Sequence, residues 1–267
     1  MRNWNDPRGR FTRATMSCAL PLEILELIVD HLRYEPATLK ACCLVSKSLV
    51  PRARKLLFAR IEFYSQKSHV ELWKKAFPDP TSSPASYTRS LFIFGIPTIT
   101  IEDTCLGGWI RTFNGIVHLH VEPLGRDDQL SLAPLYGLSS TLKSLRLVHT
   151  SVPSPEVLGL VCSFPLLEDL ALVSFGRSNM ADQWNIPPTS PKFTGSLNLT
   201  MMTEIRSAAR QLCSLPGGLH FTKITLSCLI EDLEPTANLI LMCSETLEYL
   251  SVSCYLPGAF RLTFIFG

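Results

Sequence analysis

Leu142-Lys143-Ser144-Leu145-Arg146-Leu147 decides the fold: apolar side chains stand at its first, fourth and sixth positions, with polar ones between. The same spelling returns as Leu167-Glu168-Asp169-Leu170-Ala171-Leu172 and as Leu247-Glu248-Tyr249-Leu250-Ser251-Val252. Working outward from these, the central and final apolar residues recur at Leu91/Ile93, Leu119/Val121, Leu197/Leu199 and Ile224/Leu226. From Leu91 to Leu250 the intervals between central residues are 28, 26, 25, 27, 27 and 26. Alternation inside each unit is that of a strand with one face buried. A steady period of this length marks a solenoid, in which each unit stacks on the one before it.

Helix-compatible stretches lie between the strands, at Cys105–Phe113, Pro155–Cys162, Thr203–Leu215 and Pro235–Cys243. The fold class expected is therefore an α/β solenoid, with short parallel strands alternating with helices. Residues 85–267 would hold about seven repeats. Arg261-Leu262-Thr263-Phe264-Ile265-Phe266 also spells a strand but falls out of register with the period. It is either an edge strand folded back on the stack or part of a domain that continues.

Residues 20–61 read differently. Leu22, Leu25, Ile28, Val29 and Leu32 form the stripe of an amphipathic helix. Pro21 suits its first turn. After Glu35-Pro36 an apolar helical run resumes at Leu39, Cys42 and Cys43 and extends from Val45 to Leu49. Beyond Pro51, residues Ala53, Leu56, Leu57 and Phe58 form a third helix ending near Ile61. Three helices in so short a span cannot enclose a full core, so their apolar surface must be covered by the rest of the chain or by another protein. Residues 1–17, with Arg2, Arg8, Arg10 and Arg13 against Asp6, read as a disordered basic tail in preference to a transit peptide, because no amphipathic pattern is present.

Composition bounds the function. The chain has 267 residues, 25 basic and 23 acidic, and 46% of it is apolar. That balance excludes a disordered protein and a nucleic-acid binder relying on bulk charge. No stretch approaches a membrane span. Cys18 to Val29 carries Glu23 and Glu26, so it is not the apolar core of a signal peptide. Nine scattered cysteines without a CxxC pair point to reduced thiols, hence to the cytoplasm or nucleus. Lys40, Lys47, Arg52, Arg54, Lys55 and Arg60 form a basic cluster without interleaved aromatics. That pattern fits an acidic protein surface or a solvated face better than nucleic acid.

Leu20-Pro21-Leu22-Glu23-Ile24, Ile28, Leu32, the run from Leu39 through Cys42-Cys43-Leu44-Val45-Ser46-Lys47, and Ala53-Arg54 with Leu57-Phe58 together resemble an F-box of the form common in fungal proteins. The repeats resemble a degenerate leucine-rich repeat, because the asparagine usual in such units is absent from most of them. The resemblance implies a small three-helix F-box over residues 18–62; over 63–84, Val70, Leu72, Trp73 and Phe77 suggest one more helix and Pro78–Pro84 a loop or linker. A leucine-rich-repeat-like horseshoe would follow. Leu49 stands where many relatives have tryptophan.

The family resemblance implies docking on the Skp adaptor of a cullin-based ubiquitin ligase through Leu20, Pro21, Ile24, Ile28, Leu44 and Val45. It further implies capture of a target protein on the outward strand residues, where Phe92, His120, Arg146, Asn198 and Tyr249 are the candidate contacts. The function expected is that of a non-catalytic substrate receptor. The alternative is an interaction scaffold not engaged in ubiquitin transfer.

No catalytic constellation appears: there is no GxSxG elbow, phosphate-binding glycine loop or HExxH helix. His118, His120 and Glu122 lie two apart on one strand, but outward strand positions without a further ligand cluster favour a plain surface over a metal site. No cofactor, metal, nucleic acid or membrane is expected as a partner.

Overall fold

Eight short segments alternate apolar and polar residues, and in the computed structural model all eight are strands of one sheet. The structure describes residues 20–64, 67–94, 110–122, 132–138, 140–148, 154–173, 189–200, 205–255 and 261–266. The basic tail at 1–17 and the Cys105–Trp109 part of an expected helix lie outside them. The chain divides into two compact units, Met1–Ala53 and Arg54–Gly267.

In the first unit, helix α1 spans Leu22–His31, α2 spans Pro36–Val45, and α3, Val50–Leu57, begins there. Pro21 takes the cap position immediately before α1, and its carbonyl accepts the amides of Ile24 and Leu25. Pro36 opens α2, where a missing N–H is harmless. Val29, Leu39, Leu49 and Ala53 are buried. Arg52 grips Asp30 through both prongs of its guanidinium, Nε to Oδ1 at 2.6 Å and Nη2 to Oδ2.

The second unit carries strands β1 (Arg60–Phe63), β2 (Ser90–Phe94), β3 (His118–Glu122), β4 (Ser144–Val148) and β5 (Asp169–Val173). They continue with β6 (Ser196–Thr200), β7 (Lys223–Leu229), β8 (Tyr249–Tyr255) and β9 (Arg261–Phe266). Spatial order follows chain order from β1 to β9. The first eight strands are parallel, and β9 returns antiparallel to β8. Helices α4 (Lys67–Ala76), α5 (Ser154–Cys162), α6 (Ile205–Cys213) and α7 (Leu233–Met242) lie between strands. No described helix is long and apolar enough to cross a membrane.

One hydrogen-bond device recurs at the strand entrances. The carbonyl of Ala59 accepts the amides of Arg89 and Ser90, that of Arg89 accepts Val117 and His118, and that of Val117 accepts Lys143 and Ser144. Lys143, Gly195 and Thr222 repeat the arrangement for the strands that follow them by one step. A single carbonyl with two lone pairs thus satisfies two otherwise orphaned donors at each of these six entrances, while at β6 the Ser196 amide goes to the Asp169 carboxylate instead.

The core lies beneath the apolar strand positions. Leu91, Ile93, Leu119, Leu145, Leu147, Leu170, Leu197, Leu199, Ile224 and Leu226 are all buried. Against them pack Val157, Leu158 and Val161 of α5 and Ala208, Ala209 and Leu212 of α6, with Phe113, Phe164, Phe193 and Phe221 in the same cluster. Phe193 adopts the left-handed region at φ 44°. Its ring is fully buried, with its centroid 5.0 Å from that of Phe221.

Two expectations need correction. The third helix stops at Leu57, and Ile61 belongs to β1, so the sheet begins one strand before the first expected repeat. Ile61 and Phe63 supply only one apolar pair, which straight after a helix reads equally as its last turn. The segment expected to be a loop or linker, Pro78–Pro84, runs into two short 3-10 turns, Pro80–Ser82 and Pro84–Tyr87, and Ser83, Pro84 and Ala85 are buried there. Ser83 anchors the second turn by accepting the Ala85 amide at 3.2 Å. Pro21 caps α1 from outside the helix; it does not occupy the first turn itself.

Candidate interaction surfaces

The first surface follows from the apolar stripe of α1 being wider than its burial. Only Val29 of that helix is buried, whereas Leu22, Ile24, Leu27 and Ile28 are exposed. Ile24, Leu27 and Ile28 share one helix face through their spacing of three and four residues. Leu20 and Pro21, just ahead of the helix, are exposed as well. At the end of α2, Leu44 and Val45 are 89% and 77% exposed. All six residues expected to contact an adaptor are thus solvent-facing. Water ordered against so much apolar area is released when a partner covers it, and each fully buried Leu or Ile contributes about 1.5–3 kcal/mol.

The second surface is the outward face of the sheet. Register pairs Glu62 with Phe92, Phe92 with His120, His120 with Arg146, Arg146 with Ala171, Ala171 with Asn198 and Asn198 with Thr225. Phe92, His120, Arg146 and Asn198 therefore stand in one row. Tyr249 belongs to the neighbouring row, opposite Lys223, which itself faces Ser196. It is separated from the other four by both row and strand. In that row Asp169 turns its carboxylate to Ser196, accepting from its amide at 2.6 Å and its hydroxyl at 2.7 Å.

One end of the face is aromatic. Tyr64 stacks on Phe94 with centroids 5.2 Å apart, and Phe94 lies nearly parallel to Phe92 at 6.0 Å. The His120 ring leans on both phenylalanines, at 5.6 and 5.1 Å. Arg60 lays its guanidinium over Phe92 at 4.2 Å and donates to Glu62 at 2.7 Å; Glu62 also accepts the Tyr64 hydroxyl. Those bonds hold the Glu62 carboxyl below its ordinary range, the tyrosine contributing most, while the same contact raises the Tyr64 phenol.

The sequence alone does not mark Arg60, Glu62 and Tyr64 for this role. Their signal, outward positions two apart, is indistinguishable from the last turn of the helix that precedes them.

Burial lowers the pKa of His120, the charge of Arg146 lowers it further, and Glu122 opposes both. The nearest Glu122 oxygen is 3.5 Å from Nε2, at the outer limit of hydrogen bonding, and leaves that buried nitrogen without a hydrogen bond. Asn198 Oδ1 is likewise buried and unpartnered. Among the described residues no group of three His, Cys, Asp or Glu side chains is arranged to hold a metal ion.

The thiols are the remaining reactive groups. Cys228 and Cys254 are register partners on β7 and β8 and are both buried. Burial, followed by the neighbouring Cys254, pushes the Cys228 thiol up to about 12, and burial pushes Cys162 to about 11. Thiols so raised are poor nucleophiles at neutral pH.

No protein-family model matches the chain, and comparison with curated proteins finds no significant match.

Proposed function

We propose that the chain is the substrate-recognition subunit of a Skp–cullin–F-box ubiquitin ligase, with residues 18–62 as the F-box and the repeats as a leucine-rich-repeat-like horseshoe. The observation that carries the reading is the exposure of Leu20, Ile24, Ile28, Leu44 and Val45. These are the apolar positions that the F-box resemblance assigns to the Skp adaptor. The chain does no bond chemistry in this role. Holding a target beside the conjugating enzyme raises the effective concentration of its lysines, which is a tethering effect.

The test is co-expression with a fungal Skp adaptor followed by size exclusion. Co-elution at one-to-one stoichiometry, abolished by Leu20→Asp with Val45→Asp, supports the reading. A monomer that ignores the adaptor, or undiminished binding by the double variant, overturns it. Target half-life in cells with and without the chain then separates a ligase receptor from a scaffold.

A further inference from the structure

Charges on the outward face of the sheet are unevenly neutralised. Two of its acids are engaged, Glu62 by Arg60 and Tyr64 and Asp169 by Ser196, whereas Glu122 only lies 3.5 Å from the His120 ring. Among the described residues neither Arg146 nor Lys223 has an ion-pair partner. Arg146 is exposed and is the register partner of His120, the inner edge of the aromatic platform. A cation with no counter-ion among the described residues therefore stands one strand from a partly exposed stack of rings.

We infer that the face of β1–β4 binds a peptide segment in which an Asp or Glu lies within a few residues of a bulky aromatic or aliphatic side chain. The carboxylate pairs with Arg146 and the bulky side chain rests on Phe92, Phe94 and His120. This names the target class for the receptor reading and rests on it. The geometry selects a planar carboxylate because a guanidinium presents donors in a matching fork. The rings supply apolar area at little entropic cost, and arginine and aromatic residues dominate binding hot spots.

A single-stranded nucleic acid would use the same stack and cation. Glu62 and Glu122, however, set carboxylates on both sides of the rings, where a phosphate backbone would run. A peptide meets those repulsions with at most one of its residues.

The experiment is selection of a random peptide library on the full chain, with resynthesis of the enriched sequences. Enrichment of an acidic residue near Phe, Tyr, Trp or Leu is expected. Replacing that acid by its amide should weaken binding at least about tenfold, as should Arg146→Ala or Phe92→Ala. Selection on Arg146→Glu should shift the consensus toward Lys or Arg.

A consensus without acids, or one unchanged on Arg146→Glu, overturns the inference. So does Arg146-dependent binding of a short oligo-uridine with no peptide selected. The acid-to-amide change is made in the peptide, so it tests the contact without altering the protein's fold. Adaptor co-elution is scored separately. Adaptor binding without an acidic consensus removes this inference alone, whereas an acidic consensus without adaptor binding removes the ligase reading and leaves the surface.

Discussion

Arg52 and Asp30, twenty-two residues apart, form a two-pronged pair that ties the first turn of α3 to the end of α1. The Arg52 hydrogen bond is the main cause of the lowered Asp30 pKa. Stability from such a group is present above the unfolded carboxyl value, about 3.9, and is lost as pH falls through the lower folded value. Asp30→Asn should therefore melt at a lower temperature than the parent at neutral pH. The gap should close as the solution is acidified below pH about 4. Thermal melts of both proteins across that range check it, and a gap independent of pH would assign the loss to something other than the ion pair.

His120 has the same sign in a higher pH window, although here it is the neutral form that the fold favours. Its folded pKa is depressed by burial first and by Arg146 second, so the neutral ring is the form that fits. Its contribution is complete above the unfolded value, about 6.5, and declines as pH falls toward the folded one. An NMR titration should place the His120 midpoint below that of an exposed histidine. His120→Phe should remove part of the stability lost on mild acidification. A midpoint at or above the ordinary value would contradict the burial seen here.

Cys228 and Cys162 should resist alkylation in the native state. With thiols raised to about 12 and about 11, the thiolate fraction at slightly alkaline pH is very small. Iodoacetamide treatment followed by peptide mass spectrometry should find both unmodified until denaturant is added. Rapid labelling of Cys228 in the folded protein would mean that β7 and β8 open readily.

Phe193 combines a fully buried ring with a left-handed backbone. Truncation to alanine removes the ring from the cluster with Phe221 and should cost about 3–5 kcal/mol. Glycine removes as much side chain but accepts the positive φ without the steric penalty. Phe193→Gly is therefore expected to unfold at no lower denaturant concentration than Phe193→Ala, the reverse of the usual order. A markedly weaker glycine variant would show that the backbone there is unstrained.

The strands were legible because a buried strand face leaves a period of two, and seven of them shared one spacing. β1 was not, because Arg60–Phe63 is short, carries one apolar pair and follows a helix without a break. That omission also hid Arg60, Glu62 and Tyr64, which complete the aromatic platform. The direction of β9 was not legible either, since alternation is the same in parallel and antiparallel strands. Cys228 and Cys254 each lie two residues beyond a repeat's final apolar position, so the period already placed them side by side. Arg146 could be placed on the outward face by parity alone, but that no described residue pairs with it required the three-dimensional neighbours.

The paired amides at the strand entrances make the architecture countable in whole steps. Strands β2 to β5, β7 and β8 are each admitted by the carbonyl ahead of the preceding strand, whereas at β6 the Glu168 carbonyl takes the Gly195 amide and the Asp169 carboxylate takes that of Ser196. A segment excised from one such carbonyl to the next leaves two ends that still match. A cut of any other length leaves a donor pair facing the wrong atom. Growth and shrinkage of this domain over evolutionary time are thus constrained to integral increments, and an engineer shortening or lengthening it inherits the same ruler.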